Sequence, residues 1–253
     1  MGVSPAQLVV LALAGLVAGA VNAVAGGGSL VSFPALLAIG LPPLTANVTN
    51  SVAVWPGYVG TCYGYRRELH TQRRRLLGLA PAAVLGAVAG CLLLLVTSPG
   101  AFERVVPFLL VLGSLLLAAQ SRVTERVRRL PGGGAGLRSP LLHVGTALAG
   151  AYGAYFGGGL GVLLLVVLGL FLNDDLQRLN GLKAAVSLVI NGVALVAFSL
   201  FGPVQWTAVA VLAPAALLGG YLGAKLAQRL DPARLRGAVV VLGIAVGVLL
   251  AVR

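Results

Sequence analysis

One phrase occurs twice in this chain of 253 residues, once in each half and each time inside a long apolar stretch. Residues 18–28 read Ala-Gly-Ala-Val-Asn-Ala-Val-Ala-Gly-Gly-Gly, and residues 149–159 read Ala-Gly-Ala-Tyr-Gly-Ala-Tyr-Phe-Gly-Gly-Gly. The chain therefore consists of two copies of one unit, and a glycine triplet interrupts an apolar segment at the same place in each copy.

The composition indicates that these units lie in a lipid bilayer and not in water. Hydrophobic residues make up 58% of the chain and charged residues only 9%, with a mean hydropathy of +0.99. So few polar side chains cannot cover a water-soluble globule. Apolar segments of roughly 20 residues, the length that a helix needs to cross a bilayer, follow one another along the chain. We therefore predict an all-α polytopic membrane protein, since barrel strands would alternate polar and apolar residues.

Each half contains one segment broken by its glycine triplet and three plain segments. The predicted segments span residues 7–39, 46–65, 77–96, 105–119, 141–172, 182–201, 206–227 and 235–252. A charged stretch rich in Gly and Pro lies between the halves and is typical of a linker. We predict a first transmembrane repeat at residues 1–122, a cytoplasmic linker at 123–139 and a second transmembrane repeat at 140–253.

The net charge of +12 raises the question of a nucleic-acid partner, and the positions of the charges answer it. Fourteen of the 18 Lys and Arg residues lie in three short stretches between apolar segments, at 66–75, 122–138 and 225–236. Short basic loops mark the cytoplasmic side of a membrane protein. We therefore expect a protein embedded in the lipid bilayer and no nucleic-acid partner.

The three basic loops also constrain the topology. The linker and the third basic loop are separated by the broken segment and two plain segments. Both loops are cytoplasmic only if the broken segment enters the membrane and returns as a hairpin at its glycine triplet. If the broken segment of the first half forms the same hairpin, the N-terminus lies on the side opposite the cytoplasm. A hairpin plus three crossings per half then gives two inverted-topology repeats, with both termini on the periplasmic or extracellular side.

The two glycine triplets, Gly26, Gly27, Gly28 and Gly157, Gly158, Gly159, are candidates for a binding site. Non-helical backbone at membrane depth is tolerated only inside protein or beside a water-filled cavity. A helix that resumes at Ser29 or Leu160 presents free amides and the positive end of its dipole, which suits an anion. We therefore expect a small oxyanion to bind near the membrane midplane between the two breaks and to be moved by alternating access. The alternative is that the triplets serve close helix packing.

Polar residues follow each triplet within otherwise apolar sequence, where they are costly and indicate function. The further candidate substrate-binding residues are Asn22, Asn47, Thr49, Asn50, Ser51, Tyr152, Lys183, Ser187 and Asn191. Lys183 either pairs with an anion or extends with Arg178 to the cytoplasmic interface. Asn47, Thr49 and Asn50 either contact substrate or cap the start of a helix.

These motifs resemble a known family. Residues 22–34, Asn-Ala-Val-Ala-Gly-Gly-Gly-Ser-Leu-Val-Ser-Phe-Pro, and 40–50, Gly-Leu-Pro-Pro-Leu-Thr-Ala-Asn-Val-Thr-Asn, are similar to the signature of TauE/SafE transporters. Residues 152–161, 179–185 and 214–225 resemble the second repeat of that family. Ala184 departs from the pattern, in which a polar residue such as Asn follows the lysine. The resemblance implies export or exchange of sulfite, sulfoacetate or a related sulfur anion across a bacterial inner membrane.

Several other functions are less consistent with the sequence. We find no cluster of residues for a metal, no nucleotide-phosphate motif and no nucleophile paired with a base, so we expect neither a cofactor nor an enzyme. No Asp or Glu falls well inside a predicted span, so we expect transport that is passive or driven by the membrane potential. A transporter or channel for another small anion and a non-catalytic membrane scaffold subunit stay as alternatives. Homo-oligomerisation is left open.

Overall fold

The computed structural model describes residues 4–129, 136–226 and 233–252, and these ranges contain helices and no strand. The all-α prediction is confirmed. The helices are α1 (Pro5–Val24), α2 (Ser29–Ala38), α3 (Pro43–Gly64), α4 (Arg66–His70), α5 (Arg73–Val96), α6 (Pro99–Arg129), α7 (Pro140–Tyr155), α8 (Leu160–Phe171), α9 (Leu176–Phe201), α10 (Trp206–Leu226) and α11 (Ala233–Val252).

Five of these helices are long and apolar enough to cross a membrane: α1, α5, α6, α9 and α10. Their outward surfaces carry large apolar side chains, with Leu85 71% and Phe201 75% exposed. Such surfaces are stable in hydrocarbon and not in water. The protein is therefore a multi-pass membrane protein, as its composition predicts.

Both broken segments form helix–break–helix units. The breaks fall between α1 and α2 and between α7 and α8, so the helices resume at Ser29 and Leu160, as predicted. At 1.5 Å per residue, α1 is about 30 Å long and α2 about 15 Å. The corresponding arms of the second unit, α7 and α8, measure about 24 and 18 Å. The first arm of each pair is thus the longer one, and α1 alone is long enough to cross the hydrocarbon core.

The helices of the two halves pack on each other in a reciprocal way. The first helix of each half packs on the penultimate helix of the other half, α1 on α10 and α7 on α5. Close backbone approach makes both contacts: a Cβ on Gly19 would lie 2.2 Å from the Ala216 carbonyl oxygen, and one on Gly86 would lie 1.9 Å from that of Ala147. This reciprocity supports the two-repeat interpretation, and the inverted membrane orientation stays a prediction.

Helices α9 and α6 extend furthest beyond the predicted segments. Helix α9 begins at Leu176 rather than near residue 182, because Asp175 caps it by accepting hydrogen bonds from the amides of Gln177 and Arg178. Lys183 consequently lies about two turns inside the helix. Helix α6 runs on to Arg129, so the first residues of the predicted linker are helical. Residues 130–135, in the Gly-rich part of that linker, lie outside the described residues.

An ion-pair cluster joins the start of α5 to the segment before α9. The Asp174 carboxylate pairs with Arg75, lies 3.5 Å from Arg178 Nη1, and accepts a hydrogen bond of 2.8 Å from Gln72 Nε2. Burial alone would raise the pKa of Asp174, but the hydrogen bonds from Gln72, the Asp175 amide and Arg75, with the charge of Arg75, hold this pKa below its usual value. The ionised form is therefore favoured in the folded protein.

Replacing Asp174 with asparagine is expected to destabilise the protein at pH 7 by about 1–2 kcal/mol, since the pairs are partly exposed. Because the folded pKa is depressed, this contribution is present above the pKa of the unfolded chain and is lost as the pH falls through the folded value. Thermal unfolding in detergent at pH 7 and below pH 3.8 measures it. The difference between wild type and Asp174→Asn should shrink in acid, whereas Asn173→Ala, at the neighbouring exposed position without a titratable group, should show no such trend.

Candidate functional site

The two glycine breaks contact each other directly. Gly26 adopts the left-handed conformation with φ of +80°, and its carbonyl oxygen accepts a hydrogen bond of 3.1 Å from the Gly161 amide. A Cβ on Gly26 would lie 2.3 Å from the Cα of Gly161, and one on Gly161 would lie 2.4 Å from the Cα of Gly26. We call this the hairpin contact. In this conformation no oxyanion fits between Gly26 and Gly161.

Several of the backbone amides that the sequence suggested for an anion already donate hydrogen bonds to acceptors within the protein. The Gly28 amide donates to Asn22 Oδ1 at 2.7 Å, and the Leu30 amide donates to the Gly27 carbonyl at 3.0 Å. Ser29 is buried beside Gly157, and a Cβ on Gly157 would lie 3.6 Å from the Ser29 hydroxyl. The helix starts are therefore at the predicted residues, but they face each other in a closed arrangement.

A buried polar chain connects the first hairpin to α3. Asn22 Oδ1 accepts from the Gly28 amide, and the Ser32 hydroxyl is shared between the Gly28 carbonyl and Asn50 Oδ1. Both asparagines are at most 3% exposed. The Nδ2 groups of Asn22 and Asn50 have no hydrogen-bond partner among the described residues. We call Asn22, Gly28, Ser32 and Asn50 the asparagine cluster; its unused groups are hydrogen-bond donors, which suit an anion.

Two of the other predicted residues of α3, Asn47 and Thr49, tie this helix to its neighbours. Asn47 Nδ2 donates to the Tyr155 carbonyl at 2.8 Å, and Thr49 Oγ1 accepts from the Gln205 amide at 3.0 Å. Ser51 donates to the carbonyl of Asn47 in its own helix. The cap of α3 is Pro42, which has no side-chain hydrogen bond. Asn47, Thr49 and Asn50 therefore do not cap the helix.

Lys183 is buried in α9, where its side chain is 1% exposed. Its Nζ donates to Asn180 Oδ1 at 3.0 Å, and among the described residues no carboxylate pairs with it. Arg178, one turn earlier, is by contrast 49% exposed and pairs with Asp174 and Asp175. Lys183 does not extend to the interface with Arg178, so the structure rules out that alternative.

The remaining predicted residues serve contacts inside the protein. Asn191 Nδ2 donates to the Ser187 carbonyl at 2.9 Å, and its side chain is hydrogen-bonded to the buried Tyr58 across the α3–α9 interface. The Tyr152 hydroxyl donates to the Gly158 carbonyl and fixes the second break.

The antiparallel packing of α3 on α9 separates the two strongest candidates. The indole of Trp55 donates to the Leu188 carbonyl, and Asn50 and Lys183 lie on opposite sides of this contact. Five residues on each helix at 1.5 Å per residue place them about 15 Å apart along the helix axes. The predicted residues therefore form two groups, the asparagine cluster and the Lys183–Asn180 pair. A single small anion cannot touch both groups at once in this conformation.

Sequence reasoning did not include Ser32 and Tyr58 among the site residues, although both connect elements of the site. Ser32 is a hydroxyl within the apolar α2, one turn after Ser29, and that isolated polarity is the signal that could have identified it. Tyr58 gives no comparable signal, because aromatic residues are common in packed helices.

Comparisons with known proteins identify a family and related membrane proteins. Residues 11–250 match the model of the family described as "Sulfite exporter TauE/SafE". A "Probable membrane transporter protein" of Haemophilus influenzae is 27% identical over 238 residues, 93% of this chain and 91% of the relative. Another, YfcA of Escherichia coli, is 28% identical over 90% of this chain and 82% of its own length. A third, ORF9 of a Sinorhizobium species, is 26% identical over 95% of this chain and 91% of its own.

The family match covers nearly the whole chain, from the first helix to the last, and includes both glycine breaks. The described residues contain no group of His, Cys, Asp and Glu that could hold a metal ion. The helices, the breaks and the relatives lead to one conclusion: the chain belongs to the TauE/SafE family and is a multi-pass membrane transporter.

Proposed function

We propose that this transporter carries a small sulfur-containing oxyanion, such as sulfite or an organosulfonate like sulfoacetate, across a bacterial inner membrane. The observation that carries the proposal is the buried Lys183 ammonium. Among the described residues, its hydrogen-bond partner is the neutral amide oxygen of Asn180. A buried charge without a counter-ion is costly, and a bound oxyanion supplies one. Two N–H groups of Lys183 beyond the Asn180 bond provide the donors.

The asparagine cluster supports the same class of substrate. Asn22 and Asn50 have their acceptor oxygens occupied and their buried donor groups unused. Sulfite and sulfonates present several acceptor oxygens and match such donors. Asn47 Oδ1 is a buried acceptor without a described partner, which suits a protonated oxygen or a water molecule beside the anion. The cluster and Lys183 then act as two separate anion stations.

For the mechanism we propose alternating access between the two stations. The hairpin contact lies where the two breaks meet, and in this conformation it is closed. Two related halves that rock against each other would open one station and close the other. This scheme requires the inverted orientation of the repeats. Cysteine labelling that found the loops at Gln72 and Leu137 on opposite sides of the membrane would exclude it.

The direction that we propose is export driven by the membrane potential. Moving one negative charge out of an inside-negative cell releases about 2.3 kcal/mol per 100 mV. Among the described residues no Asp or Glu is fully buried, so a proton relay through a buried carboxylate has no place in that part of the chain. Sulfite flux that followed a pH gradient at a clamped membrane potential would contradict this scheme.

Thermal unfolding of the purified protein with a panel of anions tests the substrate class. The panel contains sulfite, sulfoacetate, thiosulfate, sulfate, acetate and chloride. A ligand at 100 times its Kd should stabilise the protein by about 2.7 kcal/mol, a measurable shift in Tm. We expect selective stabilisation by sulfite or a sulfonate. A response to acetate or chloride alone would favour a transporter for another small anion and remove the sulfur assignment.

A further inference from the structure

Two adjoining cavities lie on the surface between α10 and the end of α3 with the short α4 that follows it. The first has a volume of about 630 Å³ and is lined by Gly64, Arg66, Arg67, Glu68, Leu222, Lys225 and Leu226. The second is an apolar groove of about 320 Å³, lined by Val59, Gly60, Tyr63, Leu217, Leu218 and Tyr221. They adjoin because Tyr63 and Tyr221 are followed directly by Gly64 and Leu222. Together they form the α3–α10 pocket.

Two tyrosines hold the positive charges at the border between the cavities. The Arg66 guanidinium lies 4.8 Å from the centre of the Tyr63 ring and donates to the Tyr63 carbonyl, while Lys225 Nζ lies 4.4 Å from the centre of the Tyr221 ring. The two ring centres are 5.6 Å apart. Cation–π contacts therefore fix both cations where the groove ends and the charged cavity begins.

The two cavities differ in chemistry. The charged cavity has three cationic side chains and one carboxylate, that of Glu68. This carboxylate residue already has a polar or electrostatic partner. In the groove, Tyr63 is 59% and Leu218 58% exposed, as expected for side chains that face lipid. Close approach of the helices at Gly60, where a Cβ would lie 2.1 Å from the Leu217 carbonyl oxygen, shapes the floor of the groove.

We propose that the α3–α10 pocket binds one anionic phospholipid of the phosphatidylglycerol type. The headgroup phosphate lies against Arg66, Arg67 and Lys225, and an acyl chain follows the groove past Tyr63 and Leu218. Basic pockets between transmembrane helices at the cytoplasmic face bind such headgroups, and aromatic rings anchor at the headgroup level. This site is separate from the anion stations, since its cations lie at the helix ends and open to the surface.

The charges also argue against a second copy of the chain as the occupant. A two-fold symmetric dimer formed through this surface would place the same patch of each copy against the other. The basic patch formed by Arg66, Arg67 and Lys225 in one copy would then lie against the basic patch of the other copy, and like charges repel. An anionic lipid neutralises the same three side chains and fills the narrow groove with a single chain.

Native mass spectrometry of the purified protein in neutral detergent, titrated with phosphatidylglycerol or phosphatidylcholine of equal chain length, tests the proposal. Each basic side chain near an anionic headgroup contributes about fivefold in affinity, so two contribute about 30-fold. We expect Arg66→Gln/Lys225→Gln to weaken phosphatidylglycerol binding by about 30-fold. Arg73→Gln/Arg74→Gln removes two exposed charges of the same basic segment outside the pocket, and it should change binding less than twofold.

Four results would overturn the proposal. Equal binding of phosphatidylglycerol and phosphatidylcholine would show that the basic side chains do not contribute to lipid binding. Equal losses of affinity in the two double variants would show that the lipid is attracted by the basic loops in general and not by this pocket. Competition by sn-glycerol 1-phosphate at the affinity of the intact lipid would indicate a free-anion site without an acyl contact. A dimer that persists in detergent and blocks lipid binding would identify a second copy as the occupant.

Discussion

Replacing Lys183 with methionine is expected to abolish the stabilisation by sulfite or a sulfonate and to reduce anion flux in vesicles to background. The ammonium is buried with a neutral partner, so its removal takes the counter-charge away from the anion. Truncating one member of a buried charge pair costs about 2–5 kcal/mol of binding, which corresponds to a loss of about 30-fold or more. Tm shifts with increasing sulfite and flux in reconstituted vesicles measure the two effects.

The same substitution should not unfold the protein. Methionine has a similar length, and removing an uncompensated buried charge is neutral or stabilising for the apo protein. The matched control is Arg104→Met, which removes one charge at an exposed position on α6. We expect this control to keep the anion response. If Lys183→Met binds sulfite as tightly as the wild type, the station at Lys183 does not exist.

The second large effect concerns the hairpin contact. Gly26→Ala and Gly161→Ala are each expected to destabilise the protein by about 3 kcal/mol or more, because the new methyl group meets backbone that cannot move aside. Gly26 also needs a positive φ, which alanine adopts at a cost of about 1 kcal/mol. Gly161 lies in a helix, where alanine is ordinarily about 1 kcal/mol better than glycine. Thermal unfolding of each variant in detergent provides the measurement.

Gly27→Ala is the control from the same triplet. Its Cβ would meet the methyl groups of Leu117 at 3.1 and 3.2 Å, the flexible end of a side chain, and its φ is not in the left-handed region. We expect a loss of less than about 1 kcal/mol. If Gly27→Ala and Gly161→Ala destabilise the protein equally, the hairpin contact is not the reason that these glycines are needed.

The broad architecture could be predicted because it depends on local sequence. Runs of apolar residues set the positions of the long helices, and the glycine triplets set the breaks before Ser29 and Leu160. The start of α9 was missed because the polar residues after Asp175 resemble a loop in composition, although Asp175 is a good helix cap. That error placed Lys183 near the interface instead of two turns inside the helix.

The site could be predicted in its residue types but not in its arrangement. Asn22 and Asn50 lie in one buried polar chain although they belong to different helices, and Ser32 connects them. The pattern of the sequence shows each residue but not the hydrogen bonds, since these depend on how α1, α2 and α3 pack. The roughly 15 Å between Asn50 and Lys183 likewise follows from the antiparallel packing of α3 on α9.

The sequence by itself determined that the chain is helical, lies in a membrane and has a glycine break in two of its apolar segments. These properties follow from composition and periodicity, which act over one or two turns of the chain. The arrangement of the two halves as inverted repeats stays a prediction. Only the tertiary structure decided that the two breaks meet at Gly26 and Gly161, that Lys183 is buried without a described carboxylate, and that the polar residues divide into two groups. Each of these depends on contacts between residues far apart in the chain, and local sequence does not encode which helix faces which.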